Sequence, residues 1–244
     1  LLRNTKSVEF RNFAIMRCLD DAMSLDTNNS HVWIHNMDLF YGKKGSAADQ
    51  AKGDGTVDIK GDSKYVTVAY NRFWDNGKAS MCGMKSETGE NWITYHHNWF
   101  DHSDSRMARV RTMSVHMYNN YYQHCDVYGI GATSGSSIFM ESNYFDAVKR
   151  PIMSSLQGTD AKGDGTFSGE KGGLIKAYGN VFTNKPANFS YIPYAENNTS
   201  FDAYEVSHPS EQVPASVKTL VGGTSYDNFD TNPSLMYAYA ADKA

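Results

Sequence analysis

Val66-Thr-Val-Ala-Tyr-Asn71-Arg-Phe73 decides the fold, because the same phrase returns along the chain. It reads apolar, any residue, apolar, a short polar stretch ending in Asn, any residue, then an aromatic. Ile93-Thr-Tyr95 with Asn98 and Phe100 repeats it, as does Val115-His-Met117 with Asn120 and Tyr122. Ile138-Phe-Met140 with Asn143 and Phe145, and Ile175-Lys-Ala177 with Asn180 and Phe182, continue the series. Two earlier copies are looser: Val8-Glu-Phe10 with Ile15, and Val32-Trp-Ile34 with Leu39. The closest copies start 22 residues apart, at Ile93 and Val115, and the widest 37 apart, at Ile138 and Ile175. One repeat with loops inserted into some copies accounts for both spacings.

Each copy is expected to give a short strand, a turn at the Asn, and a second short strand. β-Branched and aromatic residues fill the strand positions, and Asn tolerates the left-handed turn conformation. Stacked copies would also lay Asn over Asn as an amide ladder. Units this short cannot bury an apolar face alone, so they must stack. The expected fold is all-β, a single-stranded right-handed parallel β-helix whose coils hold about 22 residues. A leucine-rich horseshoe lacks its Leu-x-x-Leu-x-Leu signature here, and a propeller blade needs a longer period. The repeat stops near Ser207, which divides the chain into a β-helix over 1–206 and a C-terminal tail over 207–244. A short helix over 215–221 is expected in that tail, which should lie against the solenoid.

Composition bounds the function. The chain has 244 residues, 40% hydrophobic and 20% charged, with a formal net charge of -4. That supports one domain with a proper core, and no apolar run is long enough to span a bilayer. The lack of a basic surplus argues against a nucleic-acid partner. Cys18, Cys82 and Cys125 allow one disulfide at most and no framework. The start, Leu1-Leu2-Arg3-Asn4, has neither an initiator Met nor a signal-peptide pattern and reads as processed or truncated.

A β-helix converts sequence phase into spatial stacking, since equivalent residues on adjacent coils lie one inter-strand spacing apart. Counted back from the next copy, Asp21 lies 11 residues before Val32, Asp54 and Asp58 lie 12 and 8 before Val66, and Arg106 lies 9 before Val115. Lys78 lies 15 before Ile93, in a longer coil. These residues are expected on one side of consecutive coils, in the order carboxylates, lysine, arginine. Three carboxylates without paired cations suit a hard cation such as Ca2+, which takes six to eight oxygens. The neighbouring strip of Lys78, Arg106 and Arg111 suits a polyanionic substrate.

These motifs resemble the pectate lyases of polysaccharide lyase family one. The resemblance rests on Asp21-Ala-Met with His31-Val-Trp-Ile, Asp54-Gly-Thr-Val-Asp58-Ile-Lys60, Lys78, and Arg106-Met-Ala-Arg-Val-Arg111 with Val115-His-Met-Tyr-Asn-Asn120. It implies Ca2+ ligands at Asp21, Asp54 and Asp58, substrate-carboxylate contacts at Lys78 and Arg111, a further cleft lysine at Lys60, and Arg106 as the base that removes the C5 proton. The implied substrate is de-esterified polygalacturonate, cleaved by β-elimination to 4,5-unsaturated oligogalacturonides. A free arginine stays protonated far above neutral pH, so such a base needs cationic neighbours and alkaline medium. The substrate implies a secreted or periplasmic protein, and a monomer is expected.

Departures from the family pattern are His35-Asn36, where relatives read Asp-His, and Ala108, where they carry Pro; altered turns are expected there. Members also begin with coils that precede Val8, so N-terminal coils are expected to be missing. Three rival functions remain at this stage. A pectin lyase acting on esterified pectin would lack the calcium acids. A β-helical hydrolase would use paired carboxylates and water. A non-catalytic carbohydrate-binding β-helix would bind without turnover. The His96, His97, His102, His116 and His124 set reads as packing or surface, and Lys162-Gly-Asp-Gly-Thr166 as ordinary turns.

Overall fold

A computed structural model describes residues 1–43, 55–84, 87–88, 91–133, 135–154, 172–189, 194–196, 199–201, 203–220 and 239–244. The repeats stack into three parallel sheets, and the chain passes through them in turn. The second sheet carries the first phrase of each copy. Val8 pairs with Val32, Val32 with Val66, Val66 with Ile93, Ile93 with Val115, Val115 with Ile138 and Ile138 with Ile175. The third sheet carries the second phrase, pairing Ile15, Leu39, Phe73, Phe100, Tyr122, Phe145 and Phe182 in that order. This is the expected parallel β-helix, in the expected register.

The core follows from that register. Phe73, Phe100, Tyr122 and Phe145 stack ring on ring at centroid spacings of 4.4–4.9 Å, set by one coil per rung. Beside them runs the amide ladder. Asn71 donates from Nδ2 to Oδ1 of Asn98 (3.0 Å), Asn98 to Asn120 (2.9 Å), Asn120 to Asn143 (3.0 Å) and Asn143 to Asn180 (2.9 Å). The second amide hydrogen goes to a strand carbonyl, as from Asn98 to Val68 at 2.8 Å. The amides of Asn71, Asn98, Asn120 and Asn143 are thereby satisfied inside the core, where an orphan would be costly.

Two expectations are corrected. The left-handed residue of the turn is the one before the ladder Asn: Tyr70, His97, Asn119 and Ser142 have φ of 55°, 52°, 50° and 49°, and Gly179 59°. The ladder Asn must aim inward, so its neighbour makes the bend. Each coil also has three strands, not two. The first sheet consists of Leu2–Arg3, Met23–Thr27, Val57–Ile59, Ser80–Cys82, Arg109–Val110, Ile130–Ala132 and Ile152–Ser154. Its strands are mostly two or three residues long and follow loops of unequal length, so no shared phrase marks them.

Past the last full coil, Tyr204–Glu205 extends the second sheet and a short helix spans Ala215–Leu220. Asp242 and Asn119 exchange hydrogen bonds of 2.8 Å, backbone to side chain in both directions. The Tyr239 ring lies 4.7 Å from that of His116 and 5.2 Å from that of Tyr118. The end of the chain therefore lies on the outer face of the second sheet.

Candidate active site

In the first sheet Val57 and Ile59 are fully buried in the core, so the residue between them, Asp58, faces out. Asp58 pairs with Ser24 on one side and Met81 on the other, and Met81 pairs with Arg109. Met23 pairs with Val57, so Asp21 and Gly55, each two residues earlier, stand level on adjacent coils. A Cβ on Gly55 would collide with Oδ1 of Asp58 and lie 3.3 Å from Oδ1 of Asp21. Only a residue without a side chain lets the two carboxylates approach one point.

Lys60 closes this arrangement. Its Nζ lies 2.9 Å from Oδ2 of Asp21 and 3.5 Å from Oδ2 of Asp58. Burial depresses the Lys60 ammonium's pKa, but its hydrogen bond to Asp21 and the charges of Asp58 and Asp21 together raise it above its ordinary value. Oδ1 of Asp21 is buried with no hydrogen-bond partner among the described residues. The residue expected as a cleft lysine thus sits on the acid pair. Asp54, the third expected ligand, lies outside the described residues, as do Asp160 and Lys162–Thr166. Among the described residues no three metal-binding side chains cluster.

The cations come next along the axis. Thr56 donates its hydroxyl to Oδ1 of Asn76 (3.0 Å) and to the carbonyl of Lys78 (3.2 Å), which ties the Asp58 coil to the Lys78 coil. Lys78 forms an isolated parallel bridge with Ser105. Met81 pairs with Arg109 three residues on from Lys78 but four on from Ser105, so the Arg106 coil holds one extra residue. Arg106 takes up that excess with φ 62°, and its carbonyl accepts the Ser80 N–H at 2.7 Å. The Met107–Ala108 peptide that follows is cis. Arg111 stands just past the strand and donates from Nη1 to the Met84 carbonyl at 3.3 Å. His35-Asn36, the other departure, belongs to the second sheet, where His35 joins Asn36 and Glu9.

Asp21, Lys78 and Arg106 therefore precede the first sheet on three coils, while Lys60 and Arg111 follow it on two, flanking one strip from both edges. Sequence reading missed three residues here. Gly55 is legible only through the contact it permits. Arg109 is buried and shares the outward row of Asp58 and Met81; its phase, six residues before Val115, was a usable signal. Glu87 lies in a loop with no phase, yet it ties three turns. Its carboxylate accepts the N–H groups of Gly61 (3.0 Å) and Met84 (2.9 Å) and the hydroxyl of Thr112 (2.6 Å). Gly61 follows Lys60 and Thr112 follows Arg111, so one carboxylate sets both turns.

The donor set fits a hard cation. Two outward carboxylates converge beside Gly55 with the Lys60 ammonium between them, and Oδ1 of Asp21 has no hydrogen-bond partner among the described residues, a costly arrangement without an ion and a good one for Ca2+. The strip beyond presents lysine and arginine donors suited to carboxylates.

Comparison with known proteins gives the family. A family model described as pectate lyase matches residues 16–225. Pectate lyase C of Dickeya chrysanthemi is 30% identical over 217 residues, covering 87% of this chain and 50% of its own length. The pectate trisaccharide-lyase of Bacillus licheniformis is 32% identical over 135 residues, covering 55% of this chain and 39% of its own. The chain thus spans half or less of the length of these two relatives. A pectate lyase from Bacillus sp. N165, solved in complex with trigalacturonate, superposes with a TM-score of 0.59 at 25% identity, covering 90% of this chain and 67% of the other.

Proposed function

The chain belongs to the pectate lyase family, and on that premise we propose that it is a calcium-dependent lyase acting on de-esterified polygalacturonate. The observation that carries this reading is the order along the first sheet: the Asp21–Asp58 pair with Lys60, then Lys78, then Arg106 and Arg111. A neutral or esterified sugar chain has no use for such a strip, and a hydrolase relying on two carboxylates leaves Lys78 and Arg106 without a task.

Asp21 and Asp58, joined by Asp54 from the same segment, would hold the calcium ion. When bound, the ion supplies positive charge that draws electron density from a uronate carboxylate and acidifies the adjacent C–H. Lys78 and Arg111 take uronate carboxylates by charge-assisted hydrogen bonds and fix the sugar in register. Arg106 accepts the C5 proton. The electrons of that C–H bond become the C4–C5 double bond, the C4–O bond breaks, and the leaving oxygen takes a proton from water. The polymer substrate places the work outside the cell or in a periplasm. No described helix is long and apolar enough to cross a membrane.

The test is incubation with polygalacturonate at mildly alkaline pH, with calcium or with a chelator, following the ultraviolet absorbance of the unsaturated product. A calcium-dependent rise is expected. A flat trace from folded, calcium-supplied protein overturns the reading.

A further inference from the structure

Lys60 occupies the place between the two acids that a metal ion must share. Its backbone is fixed there: its N–H donates to the Leu25 carbonyl at 2.8 Å, and the next residue, Gly61, is held by Glu87 at 3.0 Å. Gly61 has φ 59°, and a Cβ there would run into the Asp26 carbonyl, so this turn has no room to drift. The side chain is less confined. It follows Asp58 by two residues, extends to the same outer side, and keeps 19% of its surface exposed. A fixed anchor with a long flexible stem lets one ammonium reach the acid pair and the open strip in turn.

We propose that Lys60 is a resident counter-ion of the Asp21–Asp58 pair, which a divalent cation displaces and which then transfers to a uronate carboxylate of the substrate. The inference rests on the calcium reading of this site and deepens it. The ammonium neutralises the two converging carboxylates while no metal is bound, which holds metal affinity down. A divalent ion and an ammonium on the same carboxylates repel, so the ion's arrival drives Lys60 off. The freed cation has no better partner than an incoming carboxylate, so metal and uronide favour each other's binding reciprocally.

The experiment is calorimetric titration of calcium chloride into the parent protein, Lys60→Gln and Lys60→Arg, each with and without trigalacturonate. Without saccharide, Lys60→Gln should bind calcium about tenfold more tightly than the parent or better, while Lys60→Arg, which keeps the cation, stays near the parent. Trigalacturonate should raise the parent's calcium affinity more than that of Lys60→Gln. Metal-free Lys60→Gln should melt below the parent, and calcium should close the gap. Equal or weaker calcium binding by Lys60→Gln overturns the role of Lys60 and leaves the calcium site standing. A parent protein that binds no calcium with or without saccharide removes the calcium reading itself, and this inference with it.

Discussion

The α-carbon of Gly55 faces the carboxylate of Asp58 so closely that a methyl group there would strike Oδ1, and it stands level with Asp21 on the neighbouring coil. Gly55→Ala should therefore push the Asp58 carboxylate out of place. Overpacking of this kind costs about 1–3 kcal/mol, readable by urea denaturation, and calcium binding should weaken about tenfold or more. Unchanged calcium affinity in Gly55→Ala would mean that the two acids do not act as a pair.

Arg106→Ala removes the proposed base without touching the acid pair. The rate of unsaturated-product formation should fall by about 10²–10⁴-fold, the range for loss of a general base, with calcium affinity retained in a titration. A variant that keeps more than about a hundredth of parental turnover, a loss below the least a general base contributes, would assign proton removal elsewhere.

Glu87→Gln replaces an acceptor of three donors with a group that must itself donate. The turns bearing Lys60 and Arg111 should loosen together, and kcat/KM should drop about ten- to hundredfold. The loss should fall mainly on KM, because both residues are proposed to hold substrate. A fall confined to kcat would contradict that division of labour.

Asn120→Ala should cut the amide ladder at its middle. The side chain of Asn120 accepts from Asn98 and donates to Asn143 and to the Tyr95 carbonyl (2.9 Å). Orphaning buried groups costs about 1–3 kcal/mol, so a shift of at least that size in urea unfolding is expected. The same change at an exposed Asn with ordinary backbone, such as Asn188, should cost far less.

Acid should destabilise the second-sheet face. Burial first, and then the charges of His97 and His116, push His96 down to about 4. Burial lowers His116 as well, although its Nε2 lies 2.9 Å from Oε1 of Glu141, which raises it. Tyr118, Tyr239 and Lys176 face the same patch, and Asp242 lies 3.4 Å from His97. An unfolded histidine titrates near 6.5, so between about 6.5 and 4 the unfolded chain binds more protons and stability falls as pH falls. Melting temperature should drop across that window, and His96→Gln should flatten the slope.

The fold was legible because the second and third sheets repeat a phrase whose residues pair one for one, Val66 with Ile93 and Phe73 with Phe100. Burial imposes that phrase: a slip of one residue would turn every core side chain outward. The first sheet escaped notice because Arg109–Val110 and its like are too short for periodicity. The coil positions of Lys78, Arg106 and Asp58 were nonetheless readable, since phase survives wherever the ladder fixes the count. Lys60's position on the acids was not readable, because a long flexible stem has no phase. Glu87 acts across loops of unequal length, where sequence distance says nothing about proximity.

The amide ladder has a consequence for how such a protein can change. From Asn98 to Asn120 the chain takes 22 residues, and from Asn143 to Asn180 it takes 37, yet both rungs close at 2.9 Å. The ladder corner works as an indexing pin: whatever a coil gains or loses elsewhere, it is reset before the next one begins. Variation is therefore channelled to the two remaining corners, which border the strip of acids and cations. A lineage built this way can rewrite its substrate grip one loop at a time and leave the frame that carries it unchanged.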